Sequence, residues 1–186
     1  MYPDNTLTPR EAIRLCALGT LAESSITNSI PMAYDDLAHA VRHFVSRITG
    51  PSLELMGESI ELLRFEGLAD TAENIDTSNP MLVITQAGIE MLETLLVANI
   101  RSGSSDLNEL VIALKFRFIH HLTKIKQLNQ INLIIEVCEI ELARFEDLHD
   151  YHNSDPGHIT GWLKHDINRL KTRLEWLLEF KLKLET

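Results

Sequence analysis

Histidine and carboxylate side chains recur at two places with spacings that could serve chemistry. Asp35, His39 and His43 follow one another every four residues, which on a helix lines up three ligand-type groups on one face. An i, i+4 histidine pair can chelate zinc, with the aspartate as a third ligand. His149, His152, Asp155 and His158 crowd around Pro156-Gly157; they could bind a transition metal, although no fixed ligand spacing is met. Neither set has a further identifiable ligand, so the first reads as a solvated helix face and the second as a polar turn, and no metal is assigned. His120-His121, close to Lys115 and Arg117, could bind an anion; basic residues beside a helix C-terminus give the simpler account. No nucleophile–base arrangement, glycine-rich phosphate loop or HExxH pattern occurs. Catalytic residues and cofactors are therefore not expected, and the chain does not read as an enzyme.

The elements that carry these residues are mostly helices. Thr8-Pro9-Arg10-Glu11 is a capping box with proline at the first helical position, and Ile13, Cys16, Ala17, Thr20 and Leu21 share a face as far as Ser24-Ser25. A second helix is expected from Met32 to Thr49, turning Tyr34, Leu37, Val41, Phe44, Val45 and Ile48 inward and stopping at Gly50-Pro51. A third runs from Ser52 to Glu66, ended by Gly67 in the left-handed region. Two short apolar stretches, at Leu68-Ala69 and Met81–Ile84, flank the polar run from Glu73 to Pro80 and read as a hairpin. Thr85 then caps a fourth helix. Three helices, a hairpin and a further helix describe a winged helix-turn-helix.

Beyond the small-polar stretch Arg101–Ser105 the pattern changes. Helix five, about Asp106 to His121, is apolar on more than one face. Ile131, Ile135, Cys138, Leu142 and Phe145, and then Leu163, Ile167, Leu170, Leu174 and Leu177, form two seams at alternating steps of four and three. Asn153–Gly157 is the turn between them, giving an antiparallel helical hairpin. The expected fold is thus mainly α: a winged-helix domain at residues 1–101 and a helical, coiled-coil-like dimerisation domain at 102–186. Both seams together exceed what one chain readily covers, so a two-fold homodimer is expected through these residues. Trp162 and Trp176 would lie on nearly one side of the last helix, as dimer core or as the wall of an effector pocket.

Cys16 and Cys138 sit inside apolar helical patterns and read as core residues of a reducing compartment. The N-terminus shows no basic leader and apolar run, and no stretch of about 18 apolar residues could cross a bilayer, so a cytoplasmic protein without membrane contact is expected. Charge is unevenly spread. Residues 1–95 hold five Arg and no Lys against fourteen Asp and Glu, and every lysine lies at or beyond Lys115. Such a surface repels polyphosphate at long range.

The chain resembles the PadR-type bacterial transcriptional regulators. Ile60–Leu68 is similar to that family's recognition-helix ending, Ile84-Thr85-Gln86-Ala87-Gly88 to the strand-to-helix signature after the wing, and Leu174-Glu175-Trp176-Leu177 to the close of the last dimerisation helix. The resemblance implies DNA binding by a dimer that answers to a small hydrophobic effector, such as a phenolic compound. Arg42, Arg47, Ser52, Ser59 and Arg64 are the candidate DNA contacts. Departures from the family accompany these matches. Gly57 stands where an aromatic residue is usual, Glu54, Glu58, Glu61 and Glu66 surround Arg64, and the wing offers only Glu73 and Asp76. Because affinity for DNA comes largely from phosphates neutralised by Lys or Arg, binding should be weak and salt-sensitive. The alternative is a winged-helix dimer acting as an adaptor or antagonist for a basic protein partner.

Overall fold

Thr8 begins the first helix as its sequence requires. Its hydroxyl accepts from the amide of Glu11 at 3.3 Å, while its own amide donates to Glu11 Oε2 at 2.9 Å. With Pro9 leading, helix α1 spans Pro9–Ala22, and a π-helical turn, Glu23–Thr27, continues it past the expected stop at Ser24-Ser25. Every residue from Leu15 to Ala22 is buried. This helix is the core around which α2 (Tyr34–Thr49), α3 (Gly57–Phe65), α4 (Gln86–Leu96) and α5 (Asp106–Phe118) pack.

The computed structural model describes residues 1–27, 30–50, 57–72, 79–101, 103 and 105–186. Three short strands form one antiparallel sheet in the order β1 (Met32–Ala33), β3 (Met81–Ile84), β2 (Ala69–Thr71). The β2–β3 hairpin matches the expected wing strands, with Ala69 opposite Ile84 and Thr71 opposite Leu82. Strand β1 is a correction, since Met32 was expected to open the second helix. Met32 and Ala33 instead pair with Leu82 and Met81, and the Tyr34 amide donates to Pro80 O, so helical geometry starts only at Tyr34. Ile48, expected inward, is 37% exposed.

The chain divides into two compact units. Met1–Asn99 with Ser105–Leu122 form the first, and Ile100–Ser104 with Thr123–Thr186 the second. The boundary expected at residues 101 and 102 assigned helix five to the second domain. In the structure α5 buries Leu110, Val111, Leu114, Lys115 and Phe118 and packs on α1 and α2. Its several apolar faces are consumed inside the first unit.

The second unit is a helical hairpin, α6 (Lys124–Tyr151) and α7 (Ile159–Glu185), joined across the expected turn. The heptad residues hold its two helices to one another: Ile131, Leu163 and Leu177 are fully buried, with Ile135, Ile167 and Leu170 nearly so, and Cys138 Sγ lies 3.7 Å from Leu170 O. Leu142, Leu174 and Phe145 are half-buried. Residues expected to meet a second copy are thus largely covered within one chain. No helix among the described residues is long and apolar enough to cross a membrane.

Candidate nucleic-acid interface

Helix α3 is positioned by its ends and one face. Ile60 and Leu63 are buried, fixing which side looks outward. At its C-terminus the Gly67 amide donates to Arg64 O at 3.0 Å and the Leu68 amide to Leu63 O at 2.8 Å, with Gly67 at φ 72°. This pair of bonds closes the last turn and demands a residue at ease in the left-handed region. Thr85 locks the far side: its hydroxyl donates to Gly67 O at 2.7 Å and accepts from the Gly88 amide at 3.1 Å. One side chain therefore caps α4 and ties it to the end of α3. The expected cap at Thr85 and the expected glycine stop act as one device.

The outward side of α3 presents Glu61, Arg64, Phe65 and Glu66. Phe65 is 89% exposed. At the start of α2, Tyr34 reports the local field: burial first, then Glu61 and Asp35, push its phenol above the usual range, and Arg64 opposes them. Arg64 thus shares its surroundings with carboxylates on two helices. Arg42 and Arg47 are exposed on α2, and with Arg64 they are three of the five candidate DNA contacts. Ser52 lies outside the described residues, as do Glu54, Glu73 and Asp76. Ser59 and Glu58 fall where only the backbone of α3 is described.

Several cations of the first unit are already engaged. Arg14 donates to Glu66 Oε1 at 2.8 Å. Arg117 stacks over the rings of Phe44 and Phe118, with centroids 4.8 and 4.7 Å away, and reaches Glu23 at 3.4 Å. Lys115, the first lysine in the chain, is fully buried. Arg14, one of the five arginines in residues 1–95, is thus held by a carboxylate fifty-two residues away, a pairing that no local sequence pattern announces.

The histidine sets behave as polar surface. His39 and His43 stack with centroids 6.3 Å apart on an exposed face. His152 Nδ1 sits 2.6 Å from Asp155, and His149 Nδ1 3.3 Å from Asp150. Among the described residues no group of three or more His, Cys, Asp or Glu is placed to hold a metal ion. Both cysteines are buried, and burial pushes the Cys16 thiol up to about 12. They are inert core residues.

A family model described as "Putative AphA-like transcriptional regulator" matches residues 2–181. No curated protein matches the sequence. Among solved structures, the crystal structure of Bacillus subtilis PadR in complex with operator DNA matches at 16% identity with a TM-score of 0.37, covering 92% of this chain and 98% of that one.

Proposed function

The chain belongs to the AphA-like family of transcriptional regulators, and from that premise we propose that it binds DNA through α3 as a homodimer whose helical unit answers to a small hydrophobic effector. The observation that carries the DNA reading is the anchoring of α3, with Ile60 and Leu63 buried and Arg64 held outward beside a hairpin. Arg42 and Arg47 on α2 are the flanking phosphate contacts. With so few cations free, affinity should be modest and should fall steeply with salt. Gel shifts on DNA from the protein's own promoter region test this. A specific complex at low ionic strength is expected, and no preference over unrelated DNA there would refute it.

Dimerisation is supported by apolar surface that the hairpin leaves uncovered. Trp176 and Phe180 stack with centroids 5.7 Å apart, and Leu178 and Leu182, one turn apart, are 44% and 62% exposed. Trp162, edge-on to Phe145, is 51% exposed. Trp162, Trp176 and Phe180 flank the buried seam of Leu163, Ile167, Leu170 and Leu177 on one side of α7 and Leu178 and Leu182 on the other, and the leucine flank is the surface for a second copy. Leu178→Glu with Leu182→Glu should convert a dimer to a monomer by light scattering and weaken promoter binding at least tenfold, while helicity is kept. A wild-type mass of one chain at micromolar concentration would end the dimer proposal. The aromatic flank of α7, with Trp162, Trp176 and Phe180, is where an effector would lodge.

A second reading is favoured by Phe65. A large apolar ring exposed beside Glu61 suits a protein partner carrying basic residues better than it suits phosphate. Under that reading the chain is an adaptor or antagonist, and native co-purification recovers a basic protein in place of DNA.

A further inference from the structure

The chain leaves its first unit twice, after Asn99 and after Leu122. Each exit leaves the first unit past a buried base. At the first, Lys115 is fully enclosed, and its Nζ donates to Leu96 O at 2.6 Å and to Ala98 O at 2.7 Å. These are carbonyls at the C-terminal end of α4, where the helix leaves acceptors unused. The same segment is stitched to the N-terminus, for the Asn99 amide donates to Asn5 O at 2.8 Å and its side chain to Asp4 O at 2.9 Å. At the second exit, His121 sits in the short 3-10 turn Ile119–His121, and its Nε2 is buried with no partner among the described residues.

We propose that these two exits are proton-sensitive anchors, Lys115 under Leu96–Asn99 and His121 under Ile119–Leu122, and that acidification opens them. The reason is where each base can carry its proton. Burial lowers Lys115 from the usual 10.5 to about 7. Burial, and then His120, lower His121, with Glu23 opposing. Of the ionisable groups on neighbouring elements, Glu23 of the π-helical turn pairs with Arg117, which also stacks on Phe44 of α2 and acts on Cys16 of α1, and the Asp4 carboxylate accepts from Thr6. Burial is the cause at Lys115. An opened exit returns each base to water and to its ordinary affinity for protons.

The sign follows from linkage. A base depressed in the closed form binds more protons once opened, so falling pH favours opening. For Lys115 the window runs from about 10.5 down to about 7; below it the lysine is charged either way and adds no further dependence. For His121 the window begins near 6.5 and extends below. The two windows adjoin and share one sign.

Amide hydrogen exchange under conditions that report equilibrium opening tests this, with intrinsic rates corrected for pH. The reporters are the amides of Val97, Ala98 and Asn99, bonded to Glu93 O, Leu95 O and Asn5 O, and the amide of Leu122, bonded to Ile119 O. In the intact chain, protection at residues 97–99 should fall about tenfold per pH unit between roughly 9.5 and 7.5, the slope of one proton, and level off below. Lys115→Met should abolish that slope and leave the later fall at Leu122 in place; His121→Phe should do the reverse. A slope in Lys115→Met equal to the intact chain's would overturn the proposal. Should that variant not fold, the carbon-13 titration of Lys115 Cε in the native protein decides: titration near 7 supports the anchor, and titration alongside the surface lysines removes it.

Discussion

Replacing Gly88 by alanine should cost the first unit about 3 kcal/mol or more and lower its melting temperature by roughly 10 °C. A Cβ at Gly88 would lie 2.1 Å from Leu68 O and 2.7 Å from Ile84 Cγ1. The first of these is backbone, so no side-chain rotation relieves the clash. Leu68 O already accepts from the Thr85 amide at 3.1 Å, and displacing it disturbs the Schellman turn that ends α3. Lost stability and lost presentation of Arg64 should therefore come together. Gly161, on α7 with open space around it, is the control. Gly161→Ala should be neutral or stabilise the hairpin by roughly 0.5–1 kcal/mol, since alanine is the better helix former. Equal melting temperatures for Gly88→Ala and the native chain would show that α4 does not approach Leu68, just before β2, as described.

The parts of this fold legible in the sequence are those whose cause is local. Thr8 with Glu11, Gly67 and Thr85 each announce a helix end through a side chain or a backbone freedom that acts within a few residues. Strand β1 was not legible, because Met32-Ala33 is two residues long and exists only through pairing with Leu82 and Met81. Periodicity marked Leu163, Ile167, Leu170 and Leu177 as buried but could not say by what; antiparallel α6 and a second copy leave the same pattern. Lys115 was the plainest miss. It lies between Leu114 and Phe116 on a helix apolar on several faces, and that setting is the signal that a lysine has no route to solvent. Its partners are carbonyls, which have no signature in sequence, so the clamp on Leu96 and Ala98 needed coordinates. The candidate interface was legible as a charge problem, and the Arg14–Glu66 pair deepens it.

Charge reversal on α3 should therefore raise affinity for DNA where most substitutions at an interface lower it. Glu61 and Glu66 are both exposed, and Glu66 also holds Arg14. Glu61→Lys combined with Glu66→Lys adds two cations and releases a third. Each phosphate newly neutralised steepens the dependence of log K on log salt by about 0.9, so the slope should grow by roughly two to three. At low ionic strength, affinity for promoter DNA should rise tenfold or more. A change in net charge alone predicts some gain wherever the lysines are placed, because long-range attraction is indifferent to position. Glu139→Lys with Asp147→Lys, both exposed on α6, supplies that comparison. A large gain from the α3 pair beside a small one from the α6 pair would place phosphate against α3. Equal gains would mean that DNA does not sit on this helix, and its glutamates, with Phe65 among them, would then belong to a surface for a basic protein.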